Sequence, residues 1–401
     1  MENTKSARSQ HTGEFIILMA ILMSMVAMAI DAILPAFTAI GASYNVTDIS
    51  ELQWLIGALF LGLALGQLFF GPLSDSIGRK PGIYAGICVY ISGALLSAFA
   101  PSYDMMLLGR LLQGFGVAAP RTITIALVRD QYGGREMARI MSFVISVFVL
   151  MPAVAPALGA LMLMYSTWES IFFMFVAQAL VATLWMAWRQ PETLPASKRR
   201  PFSLMPVLQG AKEALCHRRS AGYMAVAGLA FACLISYLNV AKLMYLDIYA
   251  IDELFPAYFA VLALAIGAAS LVNGKLVIKY GMRSLMQVSL GFMIATSGLF
   301  LLFILNNEGH PPFVLFFAVM IIVFFFMGIL FGNANALAME PMGHIAGVAS
   351  SVIGSGTTLI SMSVGTLIGH FYDQTLLPMF AGFTGLSIAG FLLMLWIERK
   401  E

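Results

Sequence analysis

The chain has 401 residues, of which 60% are hydrophobic and 10% charged, with 22 Lys and Arg against 20 Asp and Glu. A soluble domain carries roughly 25% charged residues, so a water-soluble globule is excluded. The apolar residues come as long runs approaching the ~20 that a helix needs to cross a bilayer core, and not as the alternating ten-residue strands of an outer-membrane barrel.

Taken in chain order, a polar tail (1–14) precedes a first span over 15–40 that begins "FIILMAILMSMVAMAI". It runs on through Asp31 without a small-residue cleavage site and so reads as a span, not a removable signal peptide. "NVT" at 45–47 matches a glycosylation acceptor, a pattern too short to carry weight. The second span, 52–72, contains Phe60 and ends in "GPLSDSIGRK" (71–80), a dense cluster of charge and glycine. Gly71 suits close helix contact and Gly78 a tight turn. The third span is expected over 82–100 and the fourth over 104–128. In the fourth, Arg110, Gly114, Val117 and Arg121 recur at helical spacing, so both arginines share one face, with Gln113 beside it. The fifth span, 137–163, carries Pro152 and Pro156, expected to bend it, and Gly159, expected to let a neighbour approach. The sixth covers 168–189.

The longest polar interval, 190–220, reads as a linker between two halves, with a short amphipathic helix near 203–216. Six further spans follow at 221–246, 255–279, 284–305, 313–338, 346–370 and 376–397, leaving a tail at 398–401. In the seventh, Tyr237 and Asn239 are cavity candidates and Lys242 is expected to snorkel to the interface; in the tenth, Asn333 and Asn335 are cavity candidates, because buried amides need partners. Cys88, Cys216 and Cys233 have no metal-ligand spacing and are expected to be free thiols. The expected fold is thus an all-α membrane protein of twelve transmembrane helices in two six-helix bundles, 15–189 and 221–397.

Charge tests that count. With both termini cytoplasmic, nineteen of the 22 Lys and Arg fall on inner segments, while the outer loops hold Asp48, Glu51, Asp104, Glu169, Asp247, Asp252, Glu253, Glu308 and Asp373 and no base. This is the positive-inside bias, and it assigns the basic loops to topology and anionic lipid, not to nucleic acid. An offset of 203 residues lays 71–80 over "GKLVIKYGMR" (274–283), matching Gly71, Leu73 and Gly78 to Gly274, Leu276 and Gly281. Parallel repeats of six helices fit that match. Ile278 stands where Asp75 stands, so any charged device there belongs to the first half.

Asp31 is the one acid well inside a span, Glu340 lying at the inner end of the tenth. A carboxylate near mid-membrane costs roughly 2.5–3.5 kcal/mol even on permissive scales, so it should face a cavity or a partner. It is expected to take a proton from outside and release it inside. Arg110, about six residues inside the fourth span, keeps its proton and therefore can only pair with Asp31, perturb it or touch substrate. No Walker A pattern occurs, so the expected energy source is the proton-motive force, with no cofactor.

Several stretches resemble a known family. "GQLFFGPLSDSIGRKP" is similar to the G-x-L-x-D-x-x-G-R-K signature of the major facilitator superfamily, "LLGRLLQGFGVAAPR" (107–121) to its R-x-x-Q-G motif, and "DAILPA" (31–36) to the D-x-x-x-P stretch of its drug:proton antiporters. With "ALVRDQYGGREMARIMSF", "APALGA" and "GNANALAMEPMGHIAGVASS" in the same order, the chain resembles the Bcr/CflA branch over essentially its whole length. The antiporter signature G-x-x-x-G-P-x-x-G-G departs here to Met151, Ala155, Pro156, Gly159 and Ala160. The resemblance implies proton-coupled export of small organic compounds, drugs or amphipathic metabolites, across a bacterial inner membrane by alternating access, with no enzymatic activity. Beside the resemblance, the residues themselves lead to the expectation that Asp31 and Arg110 serve proton coupling and that Gln113, Arg121, Asn239, Asn333, Asn335, Tyr237 and Phe60 line the substrate cavity. The resemblance also implies a gate of Gly71, Asp75, Gly78, Arg79, Lys80 and Asp130, in which Asp75 pairs with Arg79 and the inner end of the fourth helix. Expected partners are a small molecule, protons and membrane lipid, with the protein a monomer. An alternative is a dedicated exporter of a siderophore or carboxylate, because Arg110, Arg121 and Lys242 outnumber Asp31 if all face inward. Proton-symport uptake uses the same ingredients.

Overall fold

In hydrocarbon every backbone polar group must be satisfied within the protein, and runs of about twenty apolar residues do so as helices. A computed structural model describes residues 2–46, 49–132, 134–199, 201–203, 205–251, 254–307 and 309–399. Within these ranges, side chains are described except at 2–12, 49–50, 134–139, 141–142, 145–150, 152–153, 198, 206, 344 and 346–347. The expectations for Lys5, Arg8, Asp48, Arg135, Arg139, Pro152, Lys198, Arg200, Asp252, Glu253, Glu308 and Lys400 therefore lie outside the described side chains.

Among the described residues, twelve long helices appear in order: α1 (Glu2–Asp31), α2 (Trp54–Ile77), α3 (Arg79–Ala98), α4 (Tyr103–Gln131), α5 (Gly134–Tyr165), α6 (Glu169–Arg189), α7 (Arg218–Asp247), α8 (Phe255–Tyr280), α9 (Met282–Leu305), α10 (Phe313–Met339), α11 (Ala346–His370) and α12 (Leu377–Glu398). Among the described residues eleven stretches are long and apolar enough to cross a membrane, and Val154–Tyr165 adds a shorter apolar stretch at the end of α5. The linker helix forms at Met205–Cys216.

Close packing explains the glycines of the first half. Added Cβ atoms at Gly62 and Gly114 would fall 2.0 Å from Leu111 O and 1.9 Å from Leu59 O, so α2 and α4 touch backbone to backbone. Gly93 and Gly116 do the same for α3 on α4, with Gln113 N and Tyr90 N 2.3 Å from the added atoms. In lipid, where apolar burial does not drive helices together, such close approach supplies the association. The two halves meet along α2–α11 and α5–α8. At the first seam Gln53 Nε2 donates to Gly369 O (3.1 Å) near the outer end and Ser355 Oγ to Ala64 O (2.8 Å) near the middle. At its inner end, Gly71 abuts Ser351.

Two expectations about elements change. The first span is not one helix over 15–40: α1 stops at Asp31, a turn follows, and a 3-10 turn at Leu34–Ala36 leads into a helix at Phe37–Tyr44. Pro35 has no N–H to return to the carbonyl of Asp31, four residues earlier, so the helical ladder must end there. The third helix starts at Arg79, not 82, because Gly78 takes φ +110 and ψ 161, a glycine-only backbone that turns the chain sharply into its first residue. Gly281, its partner at the 203-residue offset, has φ +77 and ψ 159 before α9.

Candidate functional site

Asp31 is 3% exposed at the point where α1 breaks. No hydrogen bond or ion pair to its carboxyl occurs among the described residues. Arg110 does not pair with Asp31, one of the three roles open to it, and the reason is local. The last helical bond of α1 runs from Ala32 N to Met28 O (3.1 Å); the next carbonyl, Ala29 O, accepts from Arg110 Nη2 (2.8 Å). Arg110 also donates through Nε to Leu55 O (3.1 Å) and through Nη1 to Gln113 Oε1 (2.6 Å). Fully buried, with its guanidinium 6.0 Å from the ring of Phe172, it ties α1 and α2 to α4 through carbonyls. From the other side, Gly159 of α5 brings its backbone against Ala32, where an added Cβ would sit 1.9 Å from the carbonyl oxygen. The acid is therefore held at a helix break pinned by α4 and pressed by α5. Pro156, one turn before Gly159, is buried in α5.

The cavity candidates divide. Gln113 is fully buried and accepts from Arg110 Nη1. Tyr237 is also fully buried, stacked on Phe259 (5.8 Å) and edge-on to Phe324 (5.1 Å). Asn333 pairs with Asn273 of α8, donating to its Oδ1 at 2.7 Å, and so cross-links α8 and α10. Asn335 donates to Phe331 O in its own helix (2.9 Å), and Asn239 to Thr366 Oγ1 of α11 (3.4 Å). Phe60 meets Phe231 of α7 edge-on at 6.4 Å, and Phe231 stacks on Phe331 of α10 at 4.9 Å, an aromatic chain that crosses from one half to the other. Arg121 is half-buried and makes no hydrogen bond or ion pair among the described residues. Lys242 lies over the ring of Phe255 at 5.6 Å.

At the cytoplasmic end Arg79, 5% exposed, donates through Nη1 to Asp75 Oδ1 (2.5 Å) and Ser74 Oγ (2.8 Å) and through Nε to Asp130 Oδ2 (2.9 Å). The structure thus brings Asp75, Arg79 and Asp130 together, all from the first half. Lys80 Nζ donates to Ala187 O (3.3 Å) at the end of α6. Sequence reasoning missed Asn273, Gln53, Ser355 and, in the linker, Glu192 and Thr193. An acid directly after the sixth span, beside a turn of bare helix N–H groups, was the available signal for Glu192. Among the described residues, no group of three His, Cys, Asp or Glu is placed to hold a metal, and the three cysteines are free thiols.

The profile of the Major Facilitator Superfamily matches residues 17–366. A bicyclomycin resistance protein homolog of Haemophilus influenzae is 29% identical over 376 residues, covering 93% of both chains. The multidrug resistance protein MdtL of Citrobacter koseri is 26% identical over 377 residues, covering 88% of this chain and 92% of its own. In fold, the xylose transporter XylE of E. coli, in a partially occluded inward-open conformation, superposes with a TM-score of 0.74 at 12% identity over 98% of each chain.

Proposed function

Because the chain belongs to the Major Facilitator Superfamily, we propose that it exports small organic compounds, drugs or amphipathic metabolites, across the bacterial inner membrane in exchange for protons. It is a multi-pass membrane transporter and not an enzyme. The observation that carries the coupling is Asp31: an acid buried in a span, at a helix break, with no cation bound to it among the described residues. A discontinuous transmembrane helix is where transporters build ion and substrate sites. Protonation from outside removes the charge of Asp31 and weakens its hold on a cationic or polar substrate, favouring release outward. Loss of the proton to the cytoplasm resets it. The proton-motive force drives the cycle, and both termini face the cytoplasm, as the positive-inside bias requires.

Asp75, Arg79, Lys80 and Asp130, with Gly71 and Gly78, form the inner gate in this reading. Gly71 abuts Ser351, and α2 and α11 run antiparallel. One turn nearer the cytoplasm, Asp75 comes level with the start of α11, whose N-terminal N–H groups attract a carboxylate. The anion-exporter reading has less support: Arg110 is engaged on carbonyls and Lys242 lies over the ring of Phe255, so the tally of three bases against one acid does not describe three bases facing one cavity.

In everted vesicles holding a pH gradient, a lipophilic cation should dissipate the gradient through the wild type and not through Asp31→Asn. Because Asp31 has no ion pair to lose, that variant should fold and melt like the wild type. An undiminished response in Asp31→Asn would overturn the assignment.

A further inference from the structure

The chain leaving α6 turns back onto the α2–α3 turn. There Glu192 accepts four backbone N–H groups: Oε1 from Arg79 (3.0 Å), Thr193 (2.9 Å) and Leu194 (2.9 Å), and Oε2 from Lys80 (3.0 Å). The first turn of a helix has N–H groups without partners and a positive dipole end, and a carboxylate satisfies both. α3 has no cap of its own, since its N-cap is Gly78. The linker provides one from 112 residues away. Thr193 adds a second tie, donating through Oγ1 to Asp130 Oδ2 (3.2 Å), the same oxygen that accepts from Arg79 Nε. The linker therefore holds both the backbone of Arg79 and the acid that its side chain binds.

The second half is a natural control. Gly281 caps α9 in the same glycine-only region as Gly78, yet an added Cβ there would meet nothing within 4 Å, whereas at Gly78 it would lie 2.8 Å from Glu192 Oε2. The turn folds without a clasp, so Glu192 is an addition to the first half alone. Further along, the linker helix sits on α11, where a Cβ at Gly210 would be 2.4 Å from Val348 Cγ1. One linker thus touches the charge cluster of the first half and the inter-half helix of the second.

We propose that Glu192 and Thr193 form a linker-borne clasp that positions Arg79 in the inner gate, so that seating of the linker sets the balance between inward-closed and inward-open states. This rests on the reading of Asp75, Arg79 and Asp130 as a gate. Glu192 is a positioning residue, acting through Arg79 and Asp130. With the clasp seated, the inner parts of α2 and α11 touch at Gly71 and Ser351, a seam that inward opening has to part. Releasing the clasp frees the α2–α3 turn and favours opening.

The test uses the full chain in lipid nanodiscs, with Cys88, Cys216 and Cys233 replaced by Ser and spin labels at Gln131→Cys and Lys279→Cys, on the inner ends of α4 and α8. Glu192→Gln should raise the ratio of long to short inter-label distances by about tenfold, the equivalent of one hydrogen bond to a charged group, and Thr193→Val by less. Glu192→Ala, which removes both acceptor oxygens, should raise it at least as far as Glu192→Gln; should it fail to fold, the isosteric Gln variant decides. Distance distributions unchanged in Glu192→Gln, whatever its melting temperature, would reduce Glu192 to a helix cap and overturn the proposal. No substrate or proton gradient enters the measurement, so this outcome is separable from failure of the antiport reading, which the vesicle assay detects.

Discussion

Replacing Gly78 by Ala, with Gly281→Ala as its partner experiment, separates backbone strain from contact with the linker. Both glycines occupy the same region, at φ +110 and φ +77 with ψ near 160, and forcing a Cβ into it costs of the order of 1–3 kcal/mol at either site. Only at Gly78 does the new Cβ also meet a neighbour, 2.8 Å from Glu192 Oε2 and 3.1 Å from Arg199 Nη2. The carboxylate must move, and four backbone N–H groups lose an acceptor. Each such bond to a charged group is worth roughly 1.5–3 kcal/mol when buried; solvent screening at this partly exposed site reduces the sum to about 1–2 kcal/mol. Gly78→Ala should therefore lose about 1–2 kcal/mol more than Gly281→Ala. Thermal unfolding of the purified variants, followed by tryptophan fluorescence in one detergent, reads the difference. In a Glu192→Ala background the excess should vanish, because the two sites are in contact and their effects do not add. Equal losses for the two glycine variants in the wild-type background would refute the reasoning.

Arg110→Lys should destabilise more than Arg110→Met. A lysine cannot reach Ala29 O, Leu55 O and Gln113 Oε1 together and leaves an underpaired buried ammonium, at a cost of about 2 kcal/mol, whereas methionine removes the charge; melting temperatures in one detergent give the order. The clasp also has a definite pH response. Burial opposes ionisation of Glu192, but the N–H groups of Leu194, Arg79, Lys80 and Thr193 outweigh it and hold the carboxyl below the usual carboxylate range. A carboxylate lowered on folding stabilises the folded arrangement above its unfolded pKa and loses that contribution as pH falls through the folded value. The difference in inward-closed population between wild type and Glu192→Gln, read from the spin-label distances, should thus stay constant down to about pH 5 and shrink only in more acidic buffer.

The sequence by itself determined the membrane class, the helices and their order. A bilayer demands about twenty apolar residues per crossing, and a helix satisfies its backbone with neighbours four residues away, so both signals are local. The same holds for Asp31, legible as the one acid well inside a span, and for Gly78, legible as a turn beside its copy at Gly281. Pro35 already marked the end of α1, although hydropathy alone read the span as continuous. The partners were decided by tertiary structure. Arg110 binds carbonyls of Ala29 and Leu55, and since every residue carries a carbonyl, no residue type announces that acceptor; a reading by charge sees only Asp31. Asn333 finds Asn273 on another helix, a meeting that depends on how α8 and α10 pack. Glu192 reads as a solvated linker acid until the chain reverses after α6 and carries it onto four N–H groups. Burial and pairing depend on which surfaces meet, and contacts between residues 112 apart in the chain leave no periodicity from which they can be read.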